Sequence, residues 1–154
     1  MKRELDKKLC ADFPEIFKDR HEDMTKTAMC WGFDCGDGWF DILYRTCQSI
    51  TEYLKQNPEV PQVVAVQVKE KFGGLRFYVY GGDDTVWDML NIAENESYRT
   101  CESCGTKEDV SQNEGGWIKT LCTKCREAQE KEYEEYYKAC LLYTSDAADD
   151  LLCV

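Results

Sequence analysis

Two short cysteine pairs carry the most specific chemistry in this chain: Cys101-Glu-Ser-Cys104 and, after the seventeen residues 105–121, Cys122-Thr-Lys-Cys125. Two CxxC pairs at this separation supply four thiolates, which close a tetrahedral shell around Zn²⁺ and leave no open coordination position. A CxxC knuckle aims both sulfurs at one point, and Gly105 directly after the first pair lets the chain turn away. Water-activating zinc needs a free fourth position, so Cys101, Cys104, Cys122 and Cys125 predict one structural Zn²⁺ and argue against hydrolytic zinc chemistry. Two disulfides or four buried thiols are the competing readings of the same residues.

Other residues offer weaker chemistry. Cys30 and Cys35, with Cys10, Cys47 and His21, fit the spacing of no common metal site, and free cysteines pack as small hydrophobes. His21 is the only histidine, so a Cys/His nucleophile pair would need it to reach Cys30 or Cys35. Asp34, Asp37 and Asp41 in the Gly/Asp-rich loop 34–41 offer a Mg²⁺ or acid/base set, the basis of a metal-dependent enzyme reading. Asp at a glycine-rich helix entrance is more often a cap or turn former. The basic-aromatic cluster of Lys69, Lys71, Arg76 and Arg99 with Phe72, Tyr78 and Tyr80 is a candidate partner-binding face, centred on Lys69, Arg76, Tyr78 and Tyr80. Such a face suits a nucleotide, a single strand or an acidic protein, and its competing reading is a solvated sheet face with tyrosines packed on a helix.

The elements that position these residues follow from hydrophobic period. Leu5, Leu9, Phe13, Ile16 and Phe17 predict a helix over 3–18, broken at Pro14. Residues 31–39 read as a structured loop with Asp37 as N-cap of the next helix. That helix spans about 39–56, with Trp39, Leu43, Cys47, Ile50 and Leu54 on one stripe and Asn57-Pro58 as its stop. The period then changes to two: Val64, Val66 and Val68 predict one strand, and Leu75, Phe77 and Val79 the return strand of a hairpin turning at Phe72-Gly73-Gly74. A helix over about 85–98 places Val86, Leu90, Ala93 and Ser97 on one face with Trp87. After the first cysteine pair come a loop or hairpin tip at 108–116, a strand at 117–121 and a helix opening at Cys122 to Cys125. A knuckle, a hairpin and a helix whose first turn holds the second pair make a treble-clef-like zinc module. The exposed face of that last helix carries Glu127, Glu130, Glu134, Tyr133, Tyr136 and Tyr137.

The fold class expected is therefore α+β: helices packed on a β-hairpin over residues 1–99, then a Cys₄ treble-clef-like module with its helix over 100–139. Residues 140–154 share no period with anything upstream, resemble a translated adapter run, and are expected to be a non-native or disordered tail. In this chain of 154 residues with 43% hydrophobic content, no segment approaches the ~20 apolar residues of a membrane span. The basic start lacks the apolar run of a signal peptide, so the ten cysteines read as reduced thiols in a cytosol. Net charge is −11, distributed as −2 over 1–58, −3 over 59–99, 0 over 100–126 and −6 over 127–154. Nucleic-acid binding rests on a Lys/Arg surplus that no segment has, so charge favours a protein partner.

Four longer stretches, 29–39, 67–77, 97–105 and 115–122, resemble in the same order a group of small cysteine-rich proteins encoded by tailed bacteriophages and prophages. The resemblance covers most of residues 1–126 and implies a phage accessory protein in the bacterial host cytoplasm. It implies no reaction. Non-catalytic binding of a host or phage protein is the leading expectation; nucleotide or nucleic-acid binding on the 69–80 hairpin face, and an enzyme using loop 34–41, are the alternatives.

Overall fold

Leu9 lies fully buried on the first helix, α1 (Arg3–Asp12), which stops where Phe13 precedes Pro14 and cannot stay helical. The fold is taken from a computed structural model that describes the backbone of residues 1–149 and the side chains of residues 1–140. Phe13, Ile16 and Phe17 continue into the core through turns rather than helix, followed by 3₁₀ turns at Lys18–His21 and Ala28–Trp31. A two-residue strand, β1 (Phe33–Asp34), sits inside the loop expected at 31–39. Alternation over two residues carries no signal, which is why it is invisible in sequence.

Helix α2 (Phe40–Gln56) buries Ile42, Leu43, Cys47 and Ile50 and stops at Asn57 before Pro58. Asp37 is not its cap. The Asp37 carboxylate instead accepts the Lys2 backbone N–H at 2.7 Å and pairs with the Lys2 ammonium at 3.1 Å.

Strands β2 (Val64–Lys71) and β3 (Gly74–Tyr80) form the expected antiparallel hairpin, and β1 adds in parallel to β2, giving the order β1-β2-β3. A bulge between Ala65 and Gln67 changes which residues of β2 face the core. One extra residue reverses the alternation, so Ala65 and Val68 are fully buried opposite Val79 and Phe77, and Val66 is only half-buried. Phe17 joins the hairpin to the rest of this core, edge-on to Phe33 and stacked at 6.0 Å on Phe77.

Helix α3 (Asp84–Ser97) starts at Asp83, whose side chain caps the Val86 N–H at 3.1 Å. Val86, Leu90, Ala93 and Ser97 are buried, while Trp87 projects outward. Ser97 Oγ accepts the Leu75 N–H, satisfying a donor on the edge strand β3. Each large side chain buried this completely stabilises by roughly 1.5–3 kcal/mol.

A second, two-stranded sheet pairs β4 (Val110–Gln112) with β5 (Thr120–Cys122), and α4 (Thr123–Asp149) follows at once. The architecture is α+β. The chain divides into two compact units, Met1–Cys122 and Thr123–Val154. Residues 140–149 of the expected tail continue α4 in backbone, while side chains beyond Cys140 and the backbone of 150–154 lie outside the described residues.

Candidate metal centre

The first cysteine pair sits on a tight knuckle: Gly105 N–H donates to the Cys101 carbonyl at 2.9 Å, and Cys101 N–H donates to the Thr106 carbonyl at 2.8 Å. The second pair straddles the junction of β5 with the first turn of α4. The sulfurs of Cys101, Cys104, Cys122 and Cys125 all lie within 4.8 Å of one another, as thiols rather than disulfides. Cys104 Sγ and Cys122 Sγ are 3.8 Å apart. A tetrahedron with Zn–S bonds of about 2.3 Å has S···S edges of about 3.8 Å, so the donor set and its spacing fit Zn²⁺. Burial pushes the Cys101 thiol up, but backbone N–H groups of Cys122, Cys104 and Ser103 outweigh it and bring it down to about 7. Cys101 and Cys122 are buried and Cys104 is exposed.

What positions the knuckle is the loop that looked like an enzyme candidate. Gly38 N–H donates to the Glu102 carbonyl at 2.8 Å, and Gly36 N–H donates to the Glu102 carboxylate at 2.9 Å. A Cβ on Gly36 would fall 2.2 Å from the Glu102 carbonyl oxygen, and one on Gly38 would fall 2.1 Å from that of Cys101. Neither position tolerates a side chain, because the obstruction is backbone. The fully buried Trp39 adds an indole N–H donated to the Thr100 carbonyl at 2.9 Å. On the other side of the knuckle, Glu102 N–H donates to the Thr120 carbonyl, and Thr120 Oγ1 donates to the Gly73 carbonyl at the β2–β3 turn. The knuckle is thus backed by the 36–39 loop and by β5. The signal in sequence is the pair of glycines two apart ahead of a tryptophan, but no rule ties such a loop to a cysteine pair more than sixty residues away.

The weaker candidates are dispersed. Among the described residues, the four cysteines are the group of metal-ligating side chains gathered closely enough to hold an ion; Asp34, Asp37 and Asp41 are not so gathered, nor are His21, Cys30 and Cys35. Cys35 and Cys47 are buried thiols, and desolvation raises both, Cys35 to about 12. Cys10 is likewise raised to about 12 by desolvation and by Asp6, so none of these three is poised as a thiolate.

On the hairpin, Lys69 pairs in register with Arg76, and Gln67 with Tyr78, which places them on the sheet face away from the core. Tyr78 is 41% and Tyr80 69% exposed. Arg76 differs: only 19% of its side chain is exposed, and its guanidinium is ion-paired with Glu94 and hydrogen-bonded to the Tyr98 hydroxyl at 3.0 Å. No helix among the described residues is long and apolar enough to cross a membrane. Comparison with protein-family models, curated proteins and solved structures gives no match in any of the three.

Proposed function

We propose that the four cysteines hold one structural Zn²⁺ in a treble-clef-like module, and that the protein works by binding another macromolecule without catalysis, as a phage accessory protein in the host cytoplasm. The sulfur geometry carries the metal reading: four thiol donors within 4.8 Å of one another, one pair of them 3.8 Å apart, would fill a tetrahedral shell and leave no position for water or substrate. The order of knuckle, hairpin and helix supports the treble-clef comparison, and the resemblance of residues 29–39, 67–77, 97–105 and 115–122 to phage proteins supports the biological setting. A binding role is supported by the chemistry of the remaining residues. Within the loop 34–41, Gly36 and Gly38 seat the knuckle and Asp37 is paired with Lys2, while burial raises the thiols of Cys10, Cys35 and Cys47 away from the thiolate form.

Metal analysis of the purified, reduced protein tests the zinc reading, with about one zinc per chain expected. Cys101→Ser and Cys122→Ser should each lose that zinc. A metal-free protein with full helix content, or a Cys101–Cys104 disulfide under reducing conditions, would sink it.

A further inference from the structure

Aromatic side chains stand exposed on the outer face of the β1-β2-β3 sheet and at its hairpin tip. Tyr78 and Tyr80 project from β3, Phe72 stands 65% exposed at the hairpin tip, and Trp31 is 70% exposed just before β1. Lys69 and Lys71, two residues apart on the same strand, point to this face and form no ion pair among the described residues. Lys71 Nζ lies 5.3 Å from the Phe72 ring centroid. Gln67 and Asp34, with Trp31, line a hollow of about 270 Å³ at the β1 end of the face. Three carboxylates adjoin the platform: Glu94, paired with Arg76, Asp34, beside Lys69 in the β1–β2 register, and Glu70 at the tip, whose carboxylate accepts the Gly73 N–H and the Trp117 indole N–H.

The tip is also strained. Phe72 has φ +55°, a left-handed conformation that costs a bulky L-residue roughly 1–2 kcal/mol and that Asn or Gly would adopt more cheaply. Its side chain, 65% exposed, recovers little of that cost by burial. A strained, exposed aromatic at a turn is a reason to look for a ligand.

We infer that this face binds single-stranded nucleic acid, with bases stacking on Tyr78, Tyr80 and Phe72 and the phosphate backbone tracking Lys69 and Lys71. The inference rests on the non-catalytic binding role proposed above and names its partner class. Exposed rings serve any base, since every base has a π-face, and the lysines supply the charge complement. The overall charge of −11 points to a protein partner, and the segment 59–99 that carries the face is itself −3; the charge complement is therefore local, confined to Lys69 and Lys71 beside the exposed rings. Arg76 is a positioning residue on this face, held by Glu94 and Tyr98 beside Tyr78. Gln67 and Asp34 offer an amide and a carboxylate to a base edge at the hollow.

The test is fluorescence anisotropy of labelled oligonucleotides of about 16 nucleotides, the upper end of a single-fold site size, as poly-dT, poly-dA and poly-U. Saturable binding is expected, and the zinc-loaded protein should prefer single strands to the matching duplex. Tyr78→Ala and Tyr80→Ala should each weaken it by roughly tenfold, the usual loss for one stacked base. Two phosphate contacts predict a slope of log K against log salt of about −1.4, flattening towards zero in the Lys69→Ala/Lys71→Ala variant. Trp87→Ala, on the outer side of α3, should bind as the parent does. Zinc content and thermal midpoint are measured on every variant, so misfolding is separated from loss of contact. Zinc-loaded protein that binds no oligonucleotide, or binds duplex equally well, overturns the inference while leaving the metal reading intact. So does loss of a protein partner on Tyr78→Ala from a chain that binds no oligonucleotide.

Discussion

Arg20 and Asp6 show what a single ion pair does when it is mostly enclosed. The guanidinium donates from Nε and Nη2 to the Asp6 carboxylate at 2.6–3.2 Å and from Nη1 to the Cys30 carbonyl at 2.9 Å. It therefore ties α1 to the irregular 18–31 segment. Burial opposes ionisation of Asp6, but Arg20 overcomes it and holds the carboxyl below its ordinary 3.8. A carboxyl with a lowered folded pKa contributes stability above its unfolded value, and that contribution is lost as pH falls through the folded one. Asp6→Asn should thus lower the thermal midpoint at pH 7 and make progressively less difference as pH falls below the ordinary carboxyl value of 3.8. Arg20→Ala should cost about 2–3 kcal/mol at neutral pH in denaturant titrations, less than a fully buried pair would lose.

At the scale of elements, the docking of the 36–39 loop on the knuckle is the contact that a single atom can break. Gly38→Ala drives a methyl group into the Cys101 carbonyl, and Gly36→Ala drives one into that of Glu102. Each should cost at least about 1–3 kcal/mol through overpacking, and loss of the support beneath the ligands should weaken zinc binding by roughly 10–100-fold. Competition with a chromophoric chelator measures the second effect directly. Where burial and period agreed, these elements were legible in sequence: the α2 stripe from Trp39 to Ile50, the α3 stripe from Val86 to Ser97, and Leu75, Phe77 and Val79 on β3. The cysteine cluster was legible because CxxC is a local motif with a long-range corollary. The β2 bulge was not, since Val64, Val66 and Val68 alternate perfectly and only pairing with β3 reveals the extra residue. Nor was the purpose of Gly36 and Gly38, which is defined by backbone sixty residues away.

Within the unit Met1–Cys122, the knuckle is joined to the hydrophobic core through Trp39 and to the β2–β3 turn through Thr120. Metal removal should therefore be felt well beyond residues 101–125. Chelation is expected to lower the thermal midpoint of the whole unit and to reduce the near-ultraviolet dichroism to which Trp39 contributes, because metal affinity is folding free energy here. A midpoint unchanged by complete zinc removal would show that the core stands without it. The seat of the knuckle also sets an order of events. Gly38 meets Glu102 across sixty-four residues, so the contact is closed only after a long stretch of chain has been searched and its loop entropy lost. During synthesis the glycine loop and α2 emerge first, the first cysteine pair later and the second pair last. Zn²⁺ bound as proposed would then close a knuckle whose supporting loop is synthesised first, and a peptide of residues 100–126 alone, lacking that loop, should bind zinc more weakly and with a looser knuckle.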